Sequence, residues 1–393
     1  MISDPVAPEI PAFDPAAFDF AALRRFPDVE ASNLFAVDAS DRLILDEAAA
    51  SLPTERLVVI EDRYGALTLG AAALFGATGI RVHQDALSGE AALDLNADKL
   101  GLADRYRSFP LGEELLSGAT LVLLQLPRSL AALDEVADAI ARFADPAVVV
   151  VAGGRLKHMT PAMNEVFARH FERLQVSPAR QKSRVLRATG PIRASEPAIP
   201  AWPHVSRHED LGLNVCAHGA AFAGTTIDIG TRYLLEFLDR MKPDAVRAID
   251  LGCGTGVLAA ALAQRRPGLR VIASDQSAAA VASARATMIA NGLADRVTVV
   301  RDDALGSQAD ASSELILLNP PFHIGSSVHA GIALKLFADA ARVLRPGGEL
   351  WTVWNTHLGY RPALTRLVGE THQVGRNAKF TVTVSVRRQS PAA

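Results

Sequence analysis

Short aliphatic runs alternate with stretches of helical periodicity, and the whole series occurs twice in this chain. That alternation leaves few folds open. The first series runs through Leu57-Val58-Val59-Ile60, Ile80-Arg81-Val82-His83, Leu121-Val122-Leu123-Leu124 and Val148-Val149-Val150-Val151, with a short late strand at Arg184-Val185-Leu186-Arg187. Helical patterns fall between them at about 66–76, 87–99, 130–143 and 160–171. Runs that are apolar on both faces, joined by helices, predict parallel βαβ units and an α/β, doubly wound sheet. The second series has strands at 248–251, 271–274, 297–300, 315–318 and 350–354, then two more at about 371–376 and 379–387. Its helices fall at 257–264, 277–290 and about 328–343.

At 393 residues two cores are expected. Residues 1–55 read as a lead segment rich in Ala, Pro and Asp, with short helical patterns at best. Residues 56–190 read as the first domain. Residues 191–210, with Pro191, Pro197, Pro200 and Pro203, read as a linker, and 211–393 as the second domain. The halves match at an offset of about 190–200 residues. Gly65-Ala66-Leu67 falls opposite Gly256-Val257-Leu258, Asp85 opposite Asp275, and Gln125-Leu126-Pro127 opposite Asn319-Pro320-Pro321. The first copy keeps only Gly65 of the glycines in its loop.

Composition narrows the setting. The two cysteines, Cys216 and Cys253, exclude a disulfide scaffold and fit a reducing cytoplasm. The N-terminus has no basic stretch of the signal-peptide kind, and no apolar run is long enough to span a bilayer, so no membrane partner is expected. The net charge of −3 hides an asymmetry: residues 1–150 hold 11 Lys/Arg against 24 Asp/Glu, whereas 151–200 hold 9 against 3 and 201–393 hold 20 against 16. A basic second half suits a polyanion, and ordinary uneven surface is the plainer explanation.

The second copy carries the chemistry. Asp250-Leu251-Gly252-Cys253-Gly254-Thr255-Gly256 joins a strand to a helix, where glycines let the backbone approach a ligand. A dinucleotide fingerprint wants G-x-G-x-x-G/A, and this loop is G-x-G-x-G with Asp250 two positions before it. A carboxylate at that mouth repels a pyrophosphate and attracts a cation. S-adenosylmethionine carries an ammonium and a sulfonium and no phosphate. Asp275, with Gln276 beside it, ends the next strand, where a carboxylate can take two ribose hydroxyls. Asp302 and Asp303 end the third, where one can meet the adenine amine. A helix N-cap is the structural reading of each Asp taken alone. Asn319-Pro320-Pro321-Phe322 then ends the fourth strand, since two prolines can continue neither a helix nor a ladder. Cys253 reads as a small filler, Trp351 and Trp354 as packing, and no metal site is expected.

In this order the glycine loop, Asp275, Asp303 and Asn-Pro-Pro-Phe resemble the class I S-adenosylmethionine-dependent methyltransferases. Further stretches narrow the resemblance to the two-domain bacterial ribosomal RNA guanine-N2 methyltransferases, the C-type enzymes for the small subunit's RNA and the G-type enzymes for the large subunit's RNA. These are Gly65-Ala66-Leu67-Thr68, Leu126-Pro127-Arg128-Ser129-Leu130, Ile227-Asp228-Ile229-Gly230-Thr231-Arg232 and Asn355-Thr356-His357-Leu358-Gly359-Tyr360. Arg376-Asn377-Ala378-Lys379-Phe380 is closer to the G-type enzymes. Ala223-Gly224-Thr225 departs from a segment in which the family often has Phe-Ser, beside Phe222.

The resemblance implies two tandem Rossmann-like methyltransferase domains, the first degenerate and without cofactor. It implies that Asp228 helps cover S-adenosylmethionine in the second. The expected acceptor is the N2 amine of a guanine, with Asn319 and Pro320 holding its protons, Pro321 shaping the turn and Phe322 stacking on the base. The expected partner is ribosomal RNA or an assembling ribosomal particle. Its backbone would lie along Arg180, Lys182, Arg184, Arg187, Arg361, Arg376 and Lys379, and the protein is expected to be a monomer. Adenine N6, a protein glutamine amide, and a non-catalytic RNA-binding or assembly role are the alternatives.

Overall fold

A computed structural model describes residues 18–193, 201–321 and 326–389, with the side chains of 326–330 left undescribed. The described residues form two compact units, one drawn from Met1–Gln84 and Gly89–Ala198, the other from Asp85–Ser88 and Ile199–Ala393.

In the first unit the elements run α1 (Ala39–Ala48), β1 (Leu57–Ile60), α2 (Ala66–Phe75), β2 (Ile80–His83), α3 (Leu87–Leu100), β3 (Tyr106–Ser108), α4 (Glu113–Leu116), β4 (Leu121–Gln125), α5 (Leu130–Phe143), β5 (Val149–Arg155), α6 (Ala162–His170), β6 (Phe171–Val176) and β7 (Ser183–Pro191). Its seven strands are ordered β3-β2-β1-β4-β5-β7-β6. The pairs from β3 to β5 are parallel and the two pairs made by β7 are antiparallel. Aliphatic runs suit this sheet because both of its faces are covered. Leu57, Val59 and Leu123 face one core; Val58, Ile60, Val122 and Leu124 face the other. Each such side chain, fully buried, contributes about 1.5–3 kcal/mol.

Residues 18–52, read from the sequence as a lead segment, build part of this unit. Phe18, Phe20, Leu43, Ile44 and Leu45 lie in its core. α1 opens with a capping box: Asp38 accepts from the first-turn backbone and Asp41 reaches back to the Asp38 N–H.

The second unit runs β8 (His204–His208), β9 (Leu213–Ala217), α7 (Ile229–Leu235), β10 (Arg247–Leu251), α8 (Val257–Arg265), β11 (Arg270–Asp275), α9 (Ala278–Ala290), β12 (Val297–Arg301), β13 (Ser313–Leu318), α10 (Ser326–Val343), β14 (Leu344–Asn355), α11 (Arg361–Leu367), β15 (Gly369–Arg376) and β16 (Phe380–Arg387). Its seven-stranded sheet is ordered β12-β11-β10-β13-β14-β16-β15, the same order as the first. β10 pairs in parallel with both β11 and β13. β8 and β9 form a separate antiparallel hairpin, whose first strand falls within the stretch 191–210 read from its prolines as a linker and whose second falls just beyond it. No helix among the described residues is long and apolar enough to cross a membrane.

Candidate active site

The parallel strands β10 to β14 leave their carboxyl ends along one edge of the second sheet. The chain crosses over between β10 and β13, which lie side by side, and an open α/β sheet forms a crevice at such a point.

The loop after β10 supplies one wall. Gly252 and Gly254 adopt φ of 69° and 53°, and a Cβ on either would meet nothing within 4 Å. The backbone there is of the left-handed kind and the space above it is free of side chains, as close approach by a ligand requires. Gly256 has a different duty. A Cβ there would stand 2.8 Å from Met288 Cε and 3.1 Å from Ala284 Cβ, so it lets α8 pack on α9. Cys253 is buried and its thiol is pushed well up by burial, which suits a filler and not a nucleophile.

Asp250 lies elsewhere than the sequence suggests. It is 1% exposed, beneath the loop and not at an open mouth, because its Oδ2 accepts the Ala259 N–H of α8 at 2.9 Å. Burial pushes it up to about 7. Its Oδ1 is buried with no donor among the described residues, as is Gln276 Oε1. Asp275, at the end of β11, accepts the Gly254 N–H at 2.9 Å and the Ser277 N–H at 3.0 Å, and burial raises it.

The adjacent carboxylates after β12 separate in role. Asp302 is turned inward, its Oδ2 accepting from Ser307 N–H at 2.9 Å and Ser307 Oγ at 2.7 Å. That carboxylate closes its own turn. Asp303 stays partly exposed and pairs with Lys335. Two orphaned buried acceptors, the Asp275 carboxylate at the end of β11 and an open glycine backbone fit a cationic ligand that carries hydroxyls, as S-adenosylmethionine does.

The first unit shows what replaces this wall. Its loop between β1 and α2 also has five residues, and Glu61, Arg63 and Gly65 take φ of 62°, 63° and 98°. The backbone pattern of Gly252, Gly254 and Gly256 is therefore kept, with side chains where the second unit leaves space. Asp62 fills the turn and caps α2 through the Leu67 and Thr68 N–H groups at 2.7 and 2.8 Å.

Asn319 follows β13 directly. Its Nδ2 donates to Asp228 Oδ2 and to Thr231 Oγ1, each at 3.0 Å, and its Oδ1 is buried with no donor among the described residues. Asp228 is the N-cap of α7 and accepts the Gly230 and Thr231 N–H groups at 2.8 and 3.2 Å. It thus holds Asn319. Sequence reasoning does not single out Thr231 as a site residue: the helix-start signal there marks Asp228 as the N-cap and says nothing of the Thr three positions on. Pro320 is buried and Pro321 exposed; Phe322 and His323 lie outside the described residues. Trp351 and Trp354 are buried packing residues.

The basic residues are uneven. Arg180 is engaged by Asp46 and Glu47. Lys182 is exposed, and Arg184 and Arg187 are half-buried along β7. In the second unit Arg361, Arg376 and Lys379 are exposed, the Arg361 Nε donates to Thr371 O at 3.2 Å, and Lys379 lies over the Phe380 ring. Among the described residues no group of His, Cys, Asp or Glu could hold a metal ion.

Comparison with known proteins gives the family and the fold. The Methyltransferase small domain model matches residues 212–384, and the RLMG N-terminal domain model matches residues 15–191. A protein of Streptomyces avermitilis named ribosomal RNA large subunit methyltransferase G is 35% identical over 93% of this chain and 97% of its own length. One of Pseudomonas aeruginosa with the same name is 36% identical over 92% and 96%. Among solved structures, a T. thermophilus 16S rRNA N2 G1207 methyltransferase (RsmC), in complex with AdoMet and guanosine, superimposes with a TM-score of 0.71. It is 22% identical and covers 89% of this chain and 92% of its own, a likeness of fold.

Proposed function

This chain belongs to the ribosomal RNA large subunit methyltransferase G family, and on that premise we propose that it transfers a methyl group from S-adenosylmethionine to the exocyclic N2 amine of a guanine in ribosomal RNA. The observation that carries the reading is the orphaned Asn319 Oδ1 at the carboxyl end of β13, beside the crevice.

When bound, S-adenosylmethionine supplies a methyl group already activated on a sulfonium. Gly252 and Gly254 would admit it to the backbone, Asp275 would hold its ribose, Gln276 offers a further buried acceptor, and Asp303 would hold the adenine amine. Asp250 supports the loop from beneath by accepting the Ala259 N–H. A guanine amine is a poor nucleophile because its lone pair is delocalised into the ring. Asn319 Oδ1 and the Pro320 carbonyl each accept one of its N–H groups, which favours a pyramidal nitrogen with its lone pair aimed at the methyl carbon. Pro321 fixes the turn and Phe322 stacks on the base. Orientation and electrostatics supply the acceleration, and water takes the proton released. A paired guanine must leave its stack to enter, at about a few kcal/mol.

Lys182, Arg184, Arg187, Arg361, Arg376 and Lys379 hold the RNA backbone, with Arg180 released from its acidic partners to join them. The protein works as a monomer in the cytoplasm, on ribosomal RNA or an assembling particle. The first unit, with Glu61 and Arg63 over its loop, binds no cofactor. Mass mapping of ribosomal RNA from a deletion strain tests the assignment: one guanine should lose a methyl group, and an unchanged map would overturn it.

A further inference from the structure

We infer that Asp228, Gly230 and Thr231 are positioning residues that decide which end of the Asn319 carboxamide faces the acceptor amine; the inference rests on the reading of Asn319 as the amine clamp. A primary amide has two ends of nearly equal size and opposite chemistry. Only the oxygen end can accept an amine N–H. With the nitrogen end forward, N–H would face N–H and the clamp would repel its substrate.

The structure fixes the choice by the partners behind the amide. Asp228 Oδ2 and Thr231 Oγ1 both lie 3.0 Å from Nδ2. Asp228 has two N–H donors of α7 on the same oxygen, so that oxygen is itself held in place. Turning the amide over would set Oδ1 against a carboxylate at the same distance, two acceptors with no proton between them.

The first unit contains the same device with the opposite outcome. α1 precedes β1 as α7 precedes β10, and Asp38 caps α1 as Asp228 caps α7. Gln125 ends β4 where Asn319 follows β13. Two residues beyond the cap stands Ser40 in one unit and Gly230 in the other; three beyond stand Asp41 and Thr231. Gln125 Nε2 donates to Asp41, and Ser40 Oγ lies 3.1 Å from Nε2 and 3.2 Å from Oε1. The hydroxyl of Ser40 therefore covers both ends of the amide.

Gly230 has no side chain to do so. Its φ is not positive, so the demand for glycine is one of space. A Cβ there would stand 2.9 Å from Asp228 Oδ2, 3.3 Å from the Phe380 ring and 3.4 Å from Asn319 Oδ1. Gly230 sets no hydroxyl against the oxygen, and Asp228, which can only accept, keeps that oxygen forward with Thr231 beside it; the first unit keeps the second condition through Asp41 and has lost the first, because Ser40 Oγ donates to Gln125 Oε1.

The test is single-turnover methyl transfer to unmodified ribosomal RNA at saturating S-adenosylmethionine, with cofactor affinity from calorimetry and Tm for each variant. Thr231→Val should lower the transfer rate about tenfold and leave cofactor Kd within about twofold, and Thr231→Ser should restore the rate. Asp228→Asn, which removes the charge that disfavours the wrong end, should lower the rate by a similar factor of about ten. Gly230→Ser, which copies the first unit, should lower it about a hundredfold, again without loss of cofactor affinity. If Thr231→Val and Gly230→Ser transfer at the wild-type rate while Asn319→Ala is inactive, the positioning role is overturned and the clamp stands. If Asn319→Ala is itself fully active, the clamp fails and this inference with it.

Discussion

Asn319 Nδ2 lies 3.0 Å from Asp228 Oδ2, and the oxygen of the same carboxamide has no donor among the described residues. A carboxylate in place of that amide would face Asp228 charge to charge, so one of the pair must hold a proton. In an Asn319→Asp variant the introduced carboxyl, once protonated, would donate to Asp228 and offer its carbonyl oxygen forward, as the amide does. Transfer by Asn319→Asp, relative to wild type at each pH, should therefore rise as pH falls from 8 to 6. A ratio that is flat or falls over that window would contradict the arrangement.

Burial pushes Asp41 and Asp250 each up to about 7, from an ordinary 3.8. A carboxyl raised on folding binds its proton more tightly in the folded state. Its stabilising effect is therefore greatest below pH 4 and is lost as pH rises through the window from about 4 to 7. Tm of the protein without ligand should fall by a few degrees between pH 5.5 and 7.5, at roughly 2–4 °C per kcal/mol for units of this size. Asp250→Asn should flatten the fall, whereas an unchanged slope in that variant would assign the pH dependence to other groups.

The two loops, Glu61–Gly65 and Gly252–Gly256, share a backbone and differ in side chains. Gly252→Glu combined with Gly254→Arg should thus fold, since Glu61 and Arg63 already hold the same φ values, and should lose S-adenosylmethionine binding by calorimetry. Wild-type affinity in the double variant would mean that the space over those glycines is not where the cofactor lies.

Much of this was legible in the sequence because the signals were local. Val148 to Val151 can hardly be anything but a buried strand, and the glycine loop declares its own turn. α1 was not legible: Leu43-Ile44-Leu45 are consecutive, and their burial depends on a sheet built from residues far along the chain. Nor was the hairpin of β8 and β9, where prolines outweighed a short strand pair. Asp302 and Asp303 are alike as letters, and only the position of Ser307 turns one inward. Asp250 falls in the same class, since a strand residue's burial depends on which face the next helix covers.

RNA binding should depend on salt. The affinity of the wild-type protein for ribosomal RNA should fall steeply between about 50 and 200 mM salt, and Arg376→Ala or Lys379→Ala should each reduce the log–log slope by about 0.7–1. Equal slopes for wild type and both variants would remove these residues from the RNA surface.

Transfer of labelled methyl from S-adenosylmethionine to unmodified ribosomal RNA, followed by nucleoside chromatography for wild type and Asn319→Ala side by side, tests the central claim most directly. Wild type should yield label in N2-methylguanosine alone, and Asn319→Ala should bind cofactor normally and transfer about 10²–10³-fold more slowly. Label in any other nucleoside, or an undiminished rate in the variant, would contradict it.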